Sequence, residues 1–243
     1  MRNYDIETKK RVNFIRKILD ESGANGIVFG NSGGKDCVLV GILCRLACED
    51  TVGLIMPCGS ASNYSNDMED AVMIADIHKI ETRMVDLTAT ATEVKSALSK
   101  TVDIIKAAEV NIAPRLRMTT LYAVAAAEGR LVAGTGNKSE RYMGYFTKWG
   151  DGAFDFNPIA DLTVTEIYEF LTFFNVPKQI IEKAPSAGLY DGQTDEGDMG
   201  VTYKAIDAYL MNGMSTPEDL TIIEKYHKIS EHKRVPPAMY GVY

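Results

Sequence analysis

The chain has 243 residues, with 26 Lys+Arg against 33 Asp+Glu and a net charge of −7. Apolar residues make up 46% and charged residues 24%, an ordinary globular balance that argues against disorder. The acidic balance disfavours nucleic acid and anionic membrane surfaces as partners, because both are polyanions. No apolar run approaches the roughly 20 residues of a membrane span. The N-terminal MRNYDIETKKRVNF carries no apolar signal segment, and Cys37, Cys44, Cys48 and Cys58 form no C-x-x-C pair. Reduced thiols and a cytoplasmic location are therefore expected.

Val12, Ile15, Ile18 and Leu19 recur at helical spacing over residues 4–21, and Gly23 ends the run. Gly26–Gly30 reads as a buried strand and 35–48 as a helix. Thr51–Met56 is the next strand, closed by Pro57, and Asn63–Lys79 the next helix. A short strand at Met84–Leu87 precedes Ala-rich helices at 90–108 and 115–128, and Leu131–Gly134 is the fourth strand. Strands alternating with helices predict a doubly wound, mainly parallel α/β sheet with helices on both faces. Its ligand site is expected beyond the carboxyl ends of the strands. Helices near 163–174, 200–211 and 216–230 form a helical C-terminal portion. No clean linker is visible, so residues 1–243 read as a single domain.

Gly30-Asn31-Ser32-Gly33-Gly34-Lys35-Asp36-Cys37 follows the first strand and opens a helix. Glycines let the backbone approach an anion, and the helix N-terminus offers free N–H groups and partial positive charge. Lys35 adds a cation and Ser32 a hydroxyl donor. The run matches neither G-x-x-x-x-G-K-[ST] nor G-x-G-x-x-G. Phosphate binding is the functional reading; a Gly-rich connection is the plain structural one. Asp36 fits a magnesium ligand, since a hard carboxylate beside phosphates recruits a hard cation.

Ser32-Gly33-Gly34-x-Asp36 after a first strand resembles the pyrophosphate loop of the ATP pyrophosphatase superfamily. Further along stand NIAPRLRM (111–118), GTGNKSERYMGYFTKWG (134–150), PIADL (158–162), PSAGLYDGQTDEGDMGVTYKAID (185–207) and EHKRVP (231–236). In this order they resemble ammonia-dependent NAD synthetase, over nearly the whole chain. The resemblance implies ATP, deamido-NAD and ammonia as substrates and a bound adenylate intermediate. NAD, AMP and pyrophosphate would be the products, with Mg²⁺ as cofactor and a homodimer as the assembly.

By the same resemblance, Gly30 through Cys37, Thr135 and Ser186 would contact ATP, and Asp36 and Glu140 would hold Mg²⁺. Arg115, Lys148, Asp155, His232 and Lys233 would contact deamido-NAD, and Asp151 would orient ammonia near the nicotinate end. On residue type alone, Glu140 is equally an acid favouring a helix dipole. Arg115 is equally a solvated helix cation, Asp151 a turn former, and His232 a surface histidine. The Gly/Asp-rich loop 184–198, with Asp195 and Glu196, is expected to be a lid.

Two positions depart from the family pattern. Cys37 stands where Ser is usual, and its helix N-terminal setting is expected to lower its pKa. Val164 stands where an ATP-contacting Lys is usual, and Lys35 is the candidate substitute cation. Cys44 and Cys48 lack the further ligands of a metal site and read as packed thiols. Phe170, Phe173 and Phe174 read as core, and Tyr142, Tyr145, Phe146 and Trp149 as stacking or packing groups. Competing functions are a sulfur-inserting tRNA-modifying ATP pyrophosphatase and a non-catalytic nucleotide sensor. With the loop at residue 30 no glutaminase segment is expected upstream, which makes free ammonia the expected nitrogen source.

Overall fold

The computed structural model describes residues 2–59, 66–183 and 194–241. Helix α1 (Tyr4–Ser22) begins at Asn3, whose side chain accepts from the Ile6 N–H, and ends at Gly23 with φ +68°. Then follow β1 (Gly26–Gly30), α2 (Lys35–Ala47), β2 (Thr51–Ile55), α3 (Asn66–His78) and β3 (Glu81–Met84). The chain continues through α4 (Thr88–Leu98), α5 (Lys106–Glu109), α6 (Ile112–Glu128) and β4 (Arg130–Ala133). The remaining helices are α7 (Lys138–Met143), α8 (Val164–Phe173), α9 (Lys178–Ile181), α10 (Asp195–Met199), α11 (Tyr203–Asn212) and α12 (Pro217–Ile229). A 3₁₀ turn follows at Glu231–Lys233.

Among the described residues the sheet runs β3-β2-β1-β4, with every pairing parallel. The expected doubly wound α/β class is thus the observed one. Successive β1 side chains alternate between two apolar layers. Ile27 and Phe29 pack with Ile15 of α1, Leu39 of α2 and Phe170 of α8. Val28 faces the other way, with Leu54 of β2 and Ala125 of α6. Burial on both faces is why β1 and β2 read as continuous apolar runs. A third cluster joins Met143, Val164, Met199, Tyr203, Ile206 and Ile223. Helix α8 contributes Ile167 to the first cluster and Val164 to the third, which ties the C-terminal helices to the sheet.

Several expected boundaries move, each for a local reason. The third strand is Glu81–Met84, not Met84–Leu87, because Val52–Ile55 pair with residues 81–84. At the sheet edge a strand needs no apolar run, so the apolar letters at 84–87 misled. The helix expected over 90–108 stops at Leu98 and resumes as the four-residue α5. Helix α6 starts three residues early, with Pro114 in its first turn, where a missing N–H costs little. Helix α10 begins inside the expected 184–198 loop, capped by the Thr194 side chain on the Gly197 N–H, while residues 184–193 of the expected lid lie outside the described residues. Phe170 is fully buried, whereas Phe173 is 44% exposed. Cys44 is buried and Cys48 half-buried, as packed thiols should be.

Candidate active site

The chain leaves β1 toward β2 on one side and returns with β4 on the other, so the strand order reverses between β1 and β4. That is a topological switch point, where the carboxyl ends diverge and open a crevice. A cavity of about 1020 Å³ lies there. The β1 and β4 turns supply its polar rim.

The β1 turn is built for close backbone approach. Asn31 donates through its backbone to Leu54 O at 2.8 Å and through its side chain to Ala71 O at 3.1 Å. Gly33 has φ +73°, and a Cβ there would strike the backbone oxygen of Asp67. Glycine is therefore required on both conformational and steric grounds. Gly34 caps α2 with no side-chain bond to its N-terminus, leaving first-turn N–H groups for an anion.

The β4 turn carries α7, which the sequence reading missed. Its start is a capping box: Asn137 Oδ1 accepts from the Glu140 N–H, and Glu140 Oε2 accepts from the Asn137 N–H at 3.1 Å. The Asn137 amide reaches across and donates to Asp36 Oδ1 at 3.0 Å. Asn137, fully buried, thus fixes one oxygen of each carboxylate. Lys35 Nζ lies 2.6 Å from Asp36 Oδ2 and 3.8 Å from Glu140 Oε1. It also stands 5.5 Å above the Tyr203 ring. The N-x-x-E spacing of 137–140 was the signal that could have found this cap.

The electrostatics follow from burial and crowding. Burial raises the Glu140 carboxyl well above its usual range, the Asp36 charge adds to that, and Lys35 opposes it. For Lys35, burial works against the charge, but Asp36 and Glu140 outweigh it and hold the ammonium firmly protonated. Burial, then Glu140 and Asp195, push the Tyr203 hydroxyl up. Cys37 corrects an expectation: burial raises its thiol, and the donor from Ser32, at 3.2 Å, only partly offsets that.

Of the expected site residues, Gly30–Ser32, Gly34–Cys37, Thr135, Glu140, Asp151, His232 and Lys233 all border the cavity. Asp151 is exposed as a residue, but its Oδ1 accepts from the Thr147 N–H at 2.9 Å, and desolvation on the cavity side raises its carboxyl above the ordinary range. Lys233 Nζ donates to Gly144 O and Phe146 O, both at 2.7 Å. Burial lowers the Lys233 pKa, with Asp151 opposing. Lys148 lies beside a smaller adjoining hollow with His232 and donates to His232 O at 2.6 Å.

Other expected residues lie away from the cavity. The exposed Arg115 donates to Lys148 O at 3.3 Å. Asp155 Oδ2 accepts from the Val132 N–H at 2.7 Å, and its Oδ1 from the Tyr122 hydroxyl, which ties the chain after Ala153 to β4. Val164 is buried in the third apolar cluster, and its backbone N–H donates to Ser139 Oγ. Ser186 lies outside the described residues.

The sequence reading passed over Arg117, one turn of α6 beyond Pro114 and one before Leu121, all three on the cavity wall. Its Nε donates to Met56 O at 3.0 Å, and burial lowers its pKa. The helical spacing 114, 117, 121 was a readable signal, hidden because Arg115 is the more exposed cation.

Comparison with known proteins agrees with this geometry. The NAD synthase family profile matches residues 7–237. An NH(3)-dependent NAD(+) synthetase from Carboxydothermus hydrogenoformans is 45% identical over 242 residues, covering 97% of each chain. Among solved structures, an NMN synthetase from Francisella tularensis superposes with a TM-score of 0.93 at 34% identity, covering 99% of this chain and all of that one. An NH3-dependent NAD synthetase from Campylobacter jejuni, in complex with the nitrate ion, gives 0.79 at 27% identity over 98% and 99%. With its Gly-rich β1 turn and paired acids at the switch point of a parallel sheet, the chain belongs to the NAD synthase family.

Proposed function

We propose that this chain amidates deamido-NAD with ammonia at the expense of ATP, giving NAD, AMP and pyrophosphate. One observation carries the reading: Asp36 and Glu140, from the turns after β1 and β4, are locked together by Asn137 at the mouth of a phosphate loop. A carboxylate is a poor electrophile. Its attack on the ATP α-phosphate expels pyrophosphate and makes a mixed anhydride, which ammonia then opens with loss of AMP. The first step needs phosphates held in line; the second needs neutral ammonia beside the carbonyl.

The residues divide accordingly. The first-turn N–H groups of Lys35 and Asp36, which no side chain caps, would serve the ATP phosphates, with Ser32, Cys37 and Thr135 on the same cavity wall. Holding both reactants in line supplies up to roughly 7–11 kcal/mol of the barrier in well-oriented systems. Asp36 and Glu140 suit Mg²⁺, which typically takes one or two carboxylates together with substrate phosphates and water. Bound there, Mg²⁺ would neutralise charge on the phosphate oxygens. Asp151, on the same cavity wall, would orient ammonia and receive its proton after attack. Lys233, His232 and Lys148 hold the nicotinate nucleotide, with Arg115 behind Lys148. We infer further that residues 1–243 act as one domain, as a homodimer, in the cytoplasm.

A second reading concerns acceptor length. The Francisella tularensis NMN synthetase superposes better than the Campylobacter jejuni enzyme. The same chemistry on nicotinate mononucleotide would yield NMN. One experiment tests both: the chain, ATP, Mg²⁺ and ammonium are incubated with deamido-NAD or with nicotinate mononucleotide, and amide and AMP are quantified. Faster turnover of deamido-NAD supports the leading reading, and faster turnover of the mononucleotide the second. No amide from either, with ATP still bound, leaves a nucleotide sensor.

A further inference from the structure

Lys35 occupies an unusual place for a cation. It is the first residue of α2, where positive charge opposes the helix dipole. Its side chain is 7% exposed, so the ammonium is held by the acids rather than by water. The atoms it meets decide the matter. Asn137 fixes Asp36 Oδ1 and Glu140 Oε2. The oxygens left for a metal are Asp36 Oδ2 and Glu140 Oε1, and these are the two that Lys35 Nζ faces, at 2.6 and 3.8 Å.

We propose that the Lys35 ammonium is a resident stand-in for the divalent ion, neutralising the Asp36–Glu140 pair until metal and ATP arrive together. The inference rests on the metal pair of the preceding reading and deepens it. Magnesium–oxygen bonds are about 2.1 Å, so a divalent ion on Asp36 Oδ2 would lie within about 5 Å of an ammonium 2.6 Å from the same oxygen, and the two buried cations would repel. Metal without nucleotide works against that repulsion, or drives Lys35 off its acids and leaves it unpaired in a buried site. Metal with ATP offers the ammonium new partners in the triphosphate oxygens. Metal and nucleotide therefore bind cooperatively, each strengthening the other by the same factor. Lys35 acts twice: as counter-ion in the empty site and as phosphate ligand in the loaded one.

The test is nucleotide-free Mn²⁺ binding to the full chain, read by water-proton relaxation, together with thermal stability with and without Mn²⁺. Lys35→Gln should bind Mn²⁺ at least tenfold more tightly than wild type and gain more stability from it. Lys35→Arg, which keeps the charge, should stay near wild type. No tightening in Lys35→Gln overturns the proposal. So does a Lys35→Gln chain that is unfolded and that millimolar Mn²⁺ does not restore. Adding Asp36→Asn to Lys35→Gln should abolish the gain. If the gain survives, the ion sits elsewhere and the paired-carboxylate reading fails too. If Lys35→Gln changes nothing while wild type still forms amide, only the Lys35 inference falls.

Discussion

At the strand-end rim, Asp36, Asn137 and Glu140 are joined side chain to side chain and backbone, with Asn137 fully buried. At the far wall, Lys148 and Lys233 give their ammoniums to backbone carbonyls of 232, 144 and 146, and the neighbouring Trp149 is 54% exposed. The rim holds fixed charges in fixed positions. The far wall holds cations on neutral acceptors that a phosphate or carboxylate can outbid, since hydrogen bonds between ions are about twice as strong as neutral ones. The first arrangement suits bond making, where a displacement of about 1 Å is costly. The second suits capture of an acceptor, where partners must change.

The comparison is most easily broken by Asp36→Asn. If the rim does the chemistry, kcat for amide formation falls by about 10²–10³-fold or more, with the fold intact by circular dichroism. A fall in affinity alone would place Asp36 with the capture wall instead. Asn137→Ala is the next sharpest test, because it removes the amide donor to Asp36 and the side-chain cap on the Glu140 N–H without removing either carboxylate. By analogy with residues that orient metal ligands, it should cost about 10–100-fold in activity. It should also cost about 1–2 kcal/mol in stability from the lost cap, read by urea denaturation. At the far wall, Lys148→Ala and Arg115→Ala should raise KM for the nicotinate nucleotide by less than about tenfold and leave kcat nearly unchanged. A drop in kcat as large as that of Asn137→Ala would erase the distinction.

The smallest effect concerns neither end. Arg11 pairs with Asp161 at 2.6 Å and with Glu7 at 2.9 Å, and Arg2 pairs with Glu166 at 2.7 Å. Burial tends to raise Asp161 and Glu166, but Arg11 and Arg2 respectively outweigh it, so both carboxyls sit below their ordinary range. A depressed folded pKa stabilises above the unfolded value, roughly pH 4, and that contribution is lost as pH falls through the folded value. The melting temperature, followed from neutral pH downward, should therefore decline only at acid pH. Arg11→Ala should flatten that decline while leaving KM and kcat at neutral pH as in wild type.

How much of this was written in the sequence depends on the kind of signal. Strands β1 and β2 were legible because burial on both faces demands apolar runs, edge strand β4 because Val132 and Ala133 are buried, and the Gly-rich β1 turn because only glycine tolerates the Gly33 bend. The third strand was misplaced because an edge strand can be polar. Asp36 and Glu140 could be paired from their places after strands, but Asn137 could not, since its bond to Asp36 spans 101 residues. Val164 gave the opposite lesson: a position expected to face phosphate packs among Met143, Met199 and Tyr203. Cys37 carried a misleading cue, because a helix N-terminus lowers a thiol pKa only where burial does not outweigh it.

The central claim is that the two rim acids act as one metal-dependent unit, and Glu140→Gln titrated with Mg²⁺ tests it most directly. Amide formation, followed at saturating ATP, should need at least about tenfold more Mg²⁺ for half-maximal rate, the loss expected when a metal site's supporting groups are removed. A Glu140→Gln chain with wild-type rate and unaltered Mg²⁺ dependence would contradict the account.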